Sequence, residues 1–457
     1  MSPHDIDTAL RFPHCFLWGV GTSAYQVEGS EENSQWCEFE QAGGVKTGQR
    51  SGRACNWWEN AERDFDLAQS LGLNSLRLSV SWARIEPEDG IFDPAAIERY
   101  RQMLMALDMR GIRPIVCLHH FVHPIWFERK GAFLNRDSVA DFGRFTRFAV
   151  SELGDLCTDW VTINEPNVYA AQGYLDGQFP PALIDRVFKY FRALGNLGLC
   201  HAEAYRIIKN LQPLSSVSFA NHFITFTHEQ DQIFDRFAAR LSERSFNDIF
   251  MRMVGEGKAP LLTGLGMRAS EIRDTWDYIG INIYGGVDVA FDIRRVSQGF
   301  TRRIMPVNGR TGDLDPEGDS MFGEIYPQGI RRVVQKYSHY QKPFMVLESG
   351  VPDKDDKLRP WVIATAVKTI YDLIQEGHKM LGYHHWTLVD NFEWAWGYAM
   401  KFGLVAMDTV TQERKPRPSA AFLTEIARAN ALTPEMVRKY APEALGEIFP
   451  GVDRTYI

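Results

Sequence analysis

What this 457-residue chain lacks narrows the reading before anything it contains. No run approaches the ~20 apolar residues that a membrane span requires. Met1 to Phe12 carries charges and no apolar core, so no secretory signal is read there. Six cysteines (Cys15, Cys37, Cys55, Cys117, Cys157 and Cys200) are scattered with no Cys-x-x-Cys pair. They are expected to be reduced thiols in a cytoplasmic protein. An excess of positive charge is missing: the formal net charge is −8 and the pI near 5.9, which gives no reason to expect nucleic acid. No linker or shift of composition divides the chain, so residues 1–457 are read as one domain.

Hydrophobic residues make up 45% of the chain, enough for a large core, and 12 Trp, 16 Tyr and 29 Phe exceed what packing alone calls for. Aromatic walls suit flat ligands and sugar rings. Eight strand-like runs recur along the chain: Phe16–Gly21, Leu76–Val80, Ile115–Leu118, Val161–Asn164, Val217–Asn221, Tyr278–Asn282, Phe344–Leu347 and Leu381–Trp386. Each but the last is separated from the next by a helix or a long segment holding one. Asp93-Pro94 starts a helix expected to run to Arg110 and Gly111, and Asp137 is expected to cap another. Further helices are expected near 59–71, 192–210, 231–254, 327–338, 359–376 and 418–429. Strand–helix alternation argues for a parallel sheet, and eight repeats argue for a single closed (β/α)8 TIM barrel with long loops on the catalytic face. A doubly wound open sheet is the alternative. Thr301–Ser320, rich in Gly, Asp and Arg, reads as a long surface loop after strand six.

Two of the runs end alike. Val161-Thr162-Ile163 stops at Asn164-Glu165-Pro166, and Phe344-Met345-Val346-Leu347 stops at Glu348-Ser349-Gly350. A carboxylate at the end of each of two strands suggests paired acid/base or nucleophile chemistry; the bland reading is that each Glu caps the helix or loop after it. A barrel gathers its strand ends, here Gln26, Arg77, His120, Asn164, Glu165, Asn282, Glu348 and Trp386, into one site. Amides, an imidazole and carboxylates make a hydrogen-bonding net for hydroxyl groups, with an indole for stacking. Arg77 near a carboxylate would keep it ionised. Three rival chemistries fit less well. Gly19-x-Gly21-x-x-Ala24 matches a dinucleotide fingerprint, but no helical periodicity comes after it. His119/His120 and His384/His385 suggest a metal, but neighbouring strand residues face opposite ways. Ser349 lacks the Gly-x-Ser-x-Gly elbow of serine hydrolases. We expect no metal and no cofactor.

A set of motifs occurs in order: Phe16-Leu17-Trp18-Gly19, Tyr25-Gln26-Val27-Glu28-Gly29, Arg77-Leu78-Ser79-Val80-Ser81-Trp82-Ala83-Arg84-Ile85, His119-His120-Phe121 with Pro124-x-Trp126, Thr162-Ile163-Asn164-Glu165-Pro166, Gly280-Ile281-Asn282-Ile283-Tyr284, and Trp386 through Asp390-Asn391-Phe392-Glu393-Trp394 to Phe402-Gly403-Leu404. From about Phe12 to Arg428 the chain resembles the family 1 glycoside hydrolases, which are β-glycosidases. Asn33–Trp58 and the run from Asn164 to Pro181 look closest to the broad-specificity archaeal-type members. The resemblance implies a retaining exo-acting β-glycosidase that removes terminal β-D-glucosyl residues, with galactosyl and fucosyl left open. Its partner would be a small β-glycoside or an oligosaccharide; a homo-oligomer is left open.

By the same resemblance Glu165 is the general acid/base and Glu348 the nucleophile. Arg77, Asn282 and Tyr284 orient Glu348, and Asn164 holds the sugar 2-hydroxyl. Gln26, His120, Trp386, Glu393 and Trp394 bind the sugar, with Phe402 as a wall. A 6-phospho-β-glycosidase is an alternative, but Glu393 would repel a phosphate where those enzymes carry a Ser. A catalytically inactive sugar-binding barrel is another, although such relatives tend to lose one glutamate and both are present. Three positions depart from the family pattern: Ser349 after Glu348, Lys401 before the Phe402 run, and Gly323 in place of a Trp. Loss of that Trp implies a wider mouth for the leaving group, unless Phe322 takes its place. Residues 431–457 lie beyond the resemblance and are expected to pack on the barrel or meet a neighbour.

Overall fold

The computed structural model describes residues 9–228, 232–295, 301–304 and 309–452. Barrel strands β1 to β8 are Leu17–Gly21, Ser75–Ser79, Arg113–His119, Asp159–Asn164, Ser216–His228, Ile279–Phe291, Phe344–Ser349 and Met380–His385. Each pairs in parallel with the next, and β8 pairs back to β1 with Gly382 beside Leu17 and His385 beside Val20. The sheet is therefore closed, and the open-sheet alternative falls. Both faces are covered, as parallel strands require. Ile115, Cys117, Val161, Met345 and Leu347 form a cluster of their own, apart from the larger core to which the helices belong.

Close approach dictates Gly19. A β-carbon there would lie 2.4 Å from the His384 ring and 2.7 Å from the Ser75 carbonyl oxygen. His384 is pinned between Ser75 Oγ at 2.9 Å and the Val346 carbonyl at 3.1 Å, whereas His385 meets the Tyr383 hydroxyl at 3.0 Å. His119 likewise turns to His123 at 3.5 Å while His120 lines the central cavity. Neither histidine pair shares a site.

Asp93 accepts from the Ala95 amide at 2.8 Å and Pro94 opens the helix, which ends at Asp108, short of the expected Arg110. Asp137 does not cap: it stands before helix Ser138–Leu153 with helical backbone angles, so its side chain makes no capping bond. The helix expected within 231–254 is Ile233–Glu243, continued through a π turn at Arg244–Asp248 into Ile249–Glu256. A one-turn helix, Ala24–Val27, comes after β1. The supposed loop Thr301–Ser320 begins as a strand, Thr301–Ile304, antiparallel to the outer end of β6; residues 305–308 lie outside the described residues. Farther on, Asp315 accepts from the amides of Glu317 and Asp319, both at 2.9 Å, and so ties down a turn.

At the opposite end of the barrel a strand that precedes β1 meets one that comes after helix Pro418–Ala429. Leu10–Arg11 pairs antiparallel with Ala431–Leu432. Asn430 sits between them in the left-handed region, φ 47°, where Asn is among the tolerated residues. Its Oδ1 accepts from Trp18 Nε1 and its Nδ2 donates to the Phe12 carbonyl, both at 2.9 Å. Beyond it, Pro434–Tyr440 lies on helix Pro418–Ala429 and Leu445–Ile448 on helix Arg359–Gln375. No helix among the described residues is long and apolar enough to cross a membrane. Asn430→Ala strands the Trp18 indole N–H, and is expected to lower unfolding free energy by about 2 kcal/mol in urea titrations. A loss under roughly 0.5 kcal/mol, the range of ordinary surface substitutions, would show that the clasp is not structural.

Candidate active site

Both glutamate-bearing strands lose register just before their carboxylate. β4 slips against β5 between Val161 and Asn164, and β7 slips against β6 between Val346 and Glu348. Such irregularities re-aim side chains at the rim of a sheet. Glu165 is held at φ 46°, ψ 60°, a left-handed conformation that costs a residue of this kind about 1–3 kcal/mol. Its carboxylate makes no capping bond to helix Pro166–Tyr174. Instead Glu165 Oε1 accepts from Asn282 Nδ2 at 2.8 Å and meets His222 Nδ1 at 2.9 Å. Glu348 takes the Arg77 guanidinium on one oxygen and the Tyr284 hydroxyl, at 2.5 Å, on the other.

Asn282 corrects one expectation. It is the register neighbour of Glu348 on the adjoining strand, yet its amide reaches across to Glu165 and, at 3.1 Å, to Asn164 Oδ1. It therefore orients Glu165 and not Glu348. Asn164 Oδ1 also accepts from Arg77 Nη1 at 3.0 Å, which leaves the Asn164 Nδ2 facing His120 Nε2 at 3.1 Å. An amide donating there makes His120 Nε2 the acceptor and places the ring hydrogen on Nδ1. Burial and the Arg77 charge hold this imidazole well below its usual range, so it is neutral. His120 Nδ1 is buried with no partner: a donor waiting for a ligand.

The loop after β8 supplies the remaining side chains. Arg417 grips Asp390 with two bonds, 3.0 and 2.9 Å, and Asp390 accepts from the Gly403 amide at 2.8 Å. Between these anchors stands Glu393, whose Oε2 accepts from Gln26 Nε2 at 3.2 Å; Gln26 is itself fixed by the Phe392 carbonyl at 2.9 Å and by Ser23 at 2.7 Å. The His120 ring lies nearly parallel to both Trp386 and Trp394, each at 5.9 Å. His120, Glu165, Glu348, Trp386, Glu393 and Trp394 share a cavity of about 620 Å³. Gln26, Arg77, Asn164 and Asn282 stand behind them, fully buried. Phe402 does not form the expected wall: it packs behind Tyr284 and Phe322, at 6.0 and 5.9 Å. Among the described residues no group of three His, Cys, Asp or Glu is arranged to hold a metal ion.

One residue here was not read from the sequence, and another, Phe322, was read only as an alternative. His222 comes directly after the predicted end of strand five, at Asn221, and the register that pairs it with Asn282 brings it to Glu165. Phe322 stacks on Tyr284 at 4.3 Å and 10° and lines the cavity. The wall left open by the missing Trp is thus occupied, and the wider mouth is not found. Gly323 has its own reason: φ is 72°, and a β-carbon would lie 2.2 Å from the Gly286 carbonyl oxygen. Ser349 faces Tyr383 rather than Glu348, so that departure leaves the carboxylate's supports intact.

The match to known proteins agrees with this geometry. Residues 8–432 fit the model of Glycosyl hydrolase family 1. The chain belongs to that family. This family 1 hydrolase is 30% identical to "Beta-glucosidase A" of Thermotoga maritima, across 92% of the chain and 99% of the relative. It is 26% identical to a "6-phospho-beta-galactosidase" of Staphylococcus haemolyticus, across 92% and 99%. A solved "beta-glycosidase from Pyrococcus horikoshii" superposes with a TM-score of 0.84 at 32% identity, covering 95% of this chain and 98% of that one.

The electrostatics of the family 1 site arise from three buried carboxyls around one guanidinium. Burial pushes Glu348 up; Arg77 pulls it down, Glu165 raises it, Tyr284 lowers it, and the balance stands at about 7. Glu393, buried and facing Glu348 and Glu165, is pushed up to about 8. Glu348 therefore ionises as pH rises through about 7. Tyr284→Phe deletes a bond to the anion that is worth about 1.5–3 kcal/mol, so the midpoint is expected to rise by about 1–2 pH units. The carboxylate infrared band that disappears in Glu348→Gln reports this titration, and an unmoved midpoint would mean that Tyr284 does not support the anion.

Proposed function

We propose that this glycoside hydrolase is a retaining, exo-acting β-glycosidase on unmodified sugars, with Glu348 as nucleophile and Glu165 as general acid/base. The observation that carries the assignment is the asymmetry of the two carboxyls. Glu348 is bonded to the guanidinium of Arg77, which favours the anion that a nucleophile must be, while Glu165 contacts an amide and an imidazole. In the first step Glu348 bonds to the anomeric carbon, the glycosidic bond breaks, and Glu165 gives its proton to the departing oxygen. In the second, Glu165 takes a proton from water, whose oxygen displaces Glu348 from the anomeric carbon. Two inversions return the β-anomer. Glu393, Gln26 and Trp394 close the inner end of the cavity, which supports cleavage from a chain terminus. Glucosyl is the expected sugar, with galactosyl and fucosyl as further candidates; a panel of aryl β-glycosides ranks them. The phosphorylated-sugar activity named for one relative suits this cavity poorly, because Glu393 stands where the far hydroxyls would bind.

The two glutamates are expected to fail differently. Glu348→Gly should nearly abolish turnover, and added azide should restore part of it as the α-glycosyl azide. Glu165→Ala should spare the first step for activated aryl leaving groups, which need little protonation, and azide should then yield the β-azide. Exchanged azide products would reverse the assignment. NMR of early product should show the β-anomer, and a crystal structure should place the two carboxyls about 5–5.5 Å apart. An α-anomer formed first would rule out the retaining course.

His222→Phe leaves Asn282 as the hydrogen-bond donor to Glu165. Turnover of alkyl glycosides, which need a full proton from the acid, is expected to fall about tenfold or more, within the ~10²–10⁴-fold that such proton transfer contributes. Dinitrophenyl glycosides should lose far less. Equal losses on both would show that His222 acts through packing alone.

A further inference from the structure

The cavity does not end at the reacting carboxyls. β5 and β6 run on past His222 and Asn282 to His228 and Phe291, roughly 20 and 30 Å beyond the site at ~3.3 Å per residue. Together with the start of helix Val187–Leu211 they wall an outer chamber. Val187, Phe191, Ile224, Phe226, Phe246 and Val287 line it. All but Val287 are half-buried, with side-chain surface open to the chamber rather than packed away.

Two hydroxyls along the same wall are already engaged; Ser242, Arg295, Thr301 and Arg303 line it as well. Tyr190 donates to the Ser245 carbonyl at 2.8 Å, and Ser245 Oγ donates to the Leu241 carbonyl at 2.9 Å. Arg303 donates to the Ser320 carbonyl. Gln172 offers one buried, unpaired acceptor, and Asp176 one carboxylate at the wall. A second sugar ring would bring three or more hydroxyls to be matched, each costly to leave unpaired once water is excluded. The inner half of the cavity meets that demand with buried carboxyls, amides and an imidazole, whereas the lining of the outer half is mainly apolar among the described residues. Apolar surface also continues past the wall. Helix Ile233–Glu243 turns Leu241 to the chamber and leaves Ile233, Phe234 and Phe237 72%, 60% and 52% exposed.

We infer that the leaving group this site takes is an extended apolar alcohol, an alkyl chain or a multi-ring aryl or terpenoid system, and not a second sugar. The inference rests on the β-glycosidase reading above, with the sugar held by the inner residues and the leaving group in the outer chamber. Its one or two polar attachment points would be Gln172 and Asp176. Burial of each added methylene gives at most about a fourfold gain.

A homologous series tests it. Methyl, butyl, hexyl, octyl and decyl β-glycosides, carrying whichever sugar the aryl panel selects, differ little in the leaving ability of their alcohols, so a trend in kcat/KM reports binding. All concentrations stay below micelle formation. The expected result is a rise of about two- to fourfold per methylene over several carbons, with the octyl compound at least tenfold better than the matching disaccharide. Phe226→Gln and Val187→Gln, checked for folding by melting temperature, should cost activity in proportion to chain length, tenfold or more on the decyl compound. A flat series, or a disaccharide that outperforms every alkyl glycoside, overturns the inference while leaving the β-glycosidase reading standing. Failure to turn over any aryl or alkyl β-glycoside overturns that reading instead. If the variants do not fold, the wild-type series decides alone.

Discussion

The buried contact between Arg77 and Glu348 governs the chemistry of this barrel. Removing an ion pair from water costs several kcal/mol per charge, and the attraction offsets this only where further hydrogen bonds complete both partners. Here they do. Arg77 also bonds Asn164, and Glu348 also accepts from Tyr284. Glu165, Glu348 and Glu393 lie close together around Arg77; burial raises the pKa of Glu348 and of Glu393, and the repulsion among the three carboxyls raises both further. The cation is anchored on β2, deep in the barrel, and touches one carboxylate directly. In the proposed assignment, position of charge, more than identity of residue, separates the two glutamates.

Assembling such a cluster demands departures from regular structure. A regular strand sends alternate residues to opposite faces. Asn164 and Glu165 are neighbours in sequence and both serve the cavity, which needs the register slip in β4 and the left-handed backbone of Glu165. Phe121 and Trp394, which pack against each other beside the cavity at 5.2 Å, also have positive φ, 67° and 50°. Strain of this kind persists only where the surroundings over-determine it. The surroundings here are a closed barrel beneath and, for the loop of Trp394, the Arg417–Asp390 pair at its base.

How much of this the sequence disclosed depends on what kind of signal each feature leaves. All eight strands were legible, because a parallel barrel strand is an apolar run bounded by helical segments. The strand-end residues came with that reading, since fold alone brings strand ends together. His222 was missed for a geometric reason: the strand carrying it does not stop at the barrel rim, so the site residue sits in mid-strand. Asn282 was found, but the resemblance gave it Glu348 as a partner, whereas its amide donates to Glu165. Asp137 shows the limit of capping rules, which read residue type but not the backbone angle that lets the side chain turn back. Gly323 read as a loss of wall when its backbone, at φ 72° against the Gly286 carbonyl, requires glycine.

The two halves of the cavity differ in legibility for a reason that bears on function. The inner half uses residue types that are expensive to bury, such as Glu348, Glu393, Arg77 and Asn164, so each stands out where an apolar residue is expected. The outer half uses Val, Ile and Phe on long strands and on helix Val187–Leu211, and in a sequence these are indistinguishable from core. Only their half-exposure in the folded chain separates them from packing residues. Contiguous apolar surface that faces a pocket often marks a binding site. A site that is polar where the sugar must be recognised and apolar where the alcohol departs also suits catalysis. Excluding water around the glycosidic oxygen strengthens the interactions of Glu165 and Glu348 with the reacting atoms. An apolar leaving group would complete that exclusion itself, whereas a hydrated one would carry water in with it.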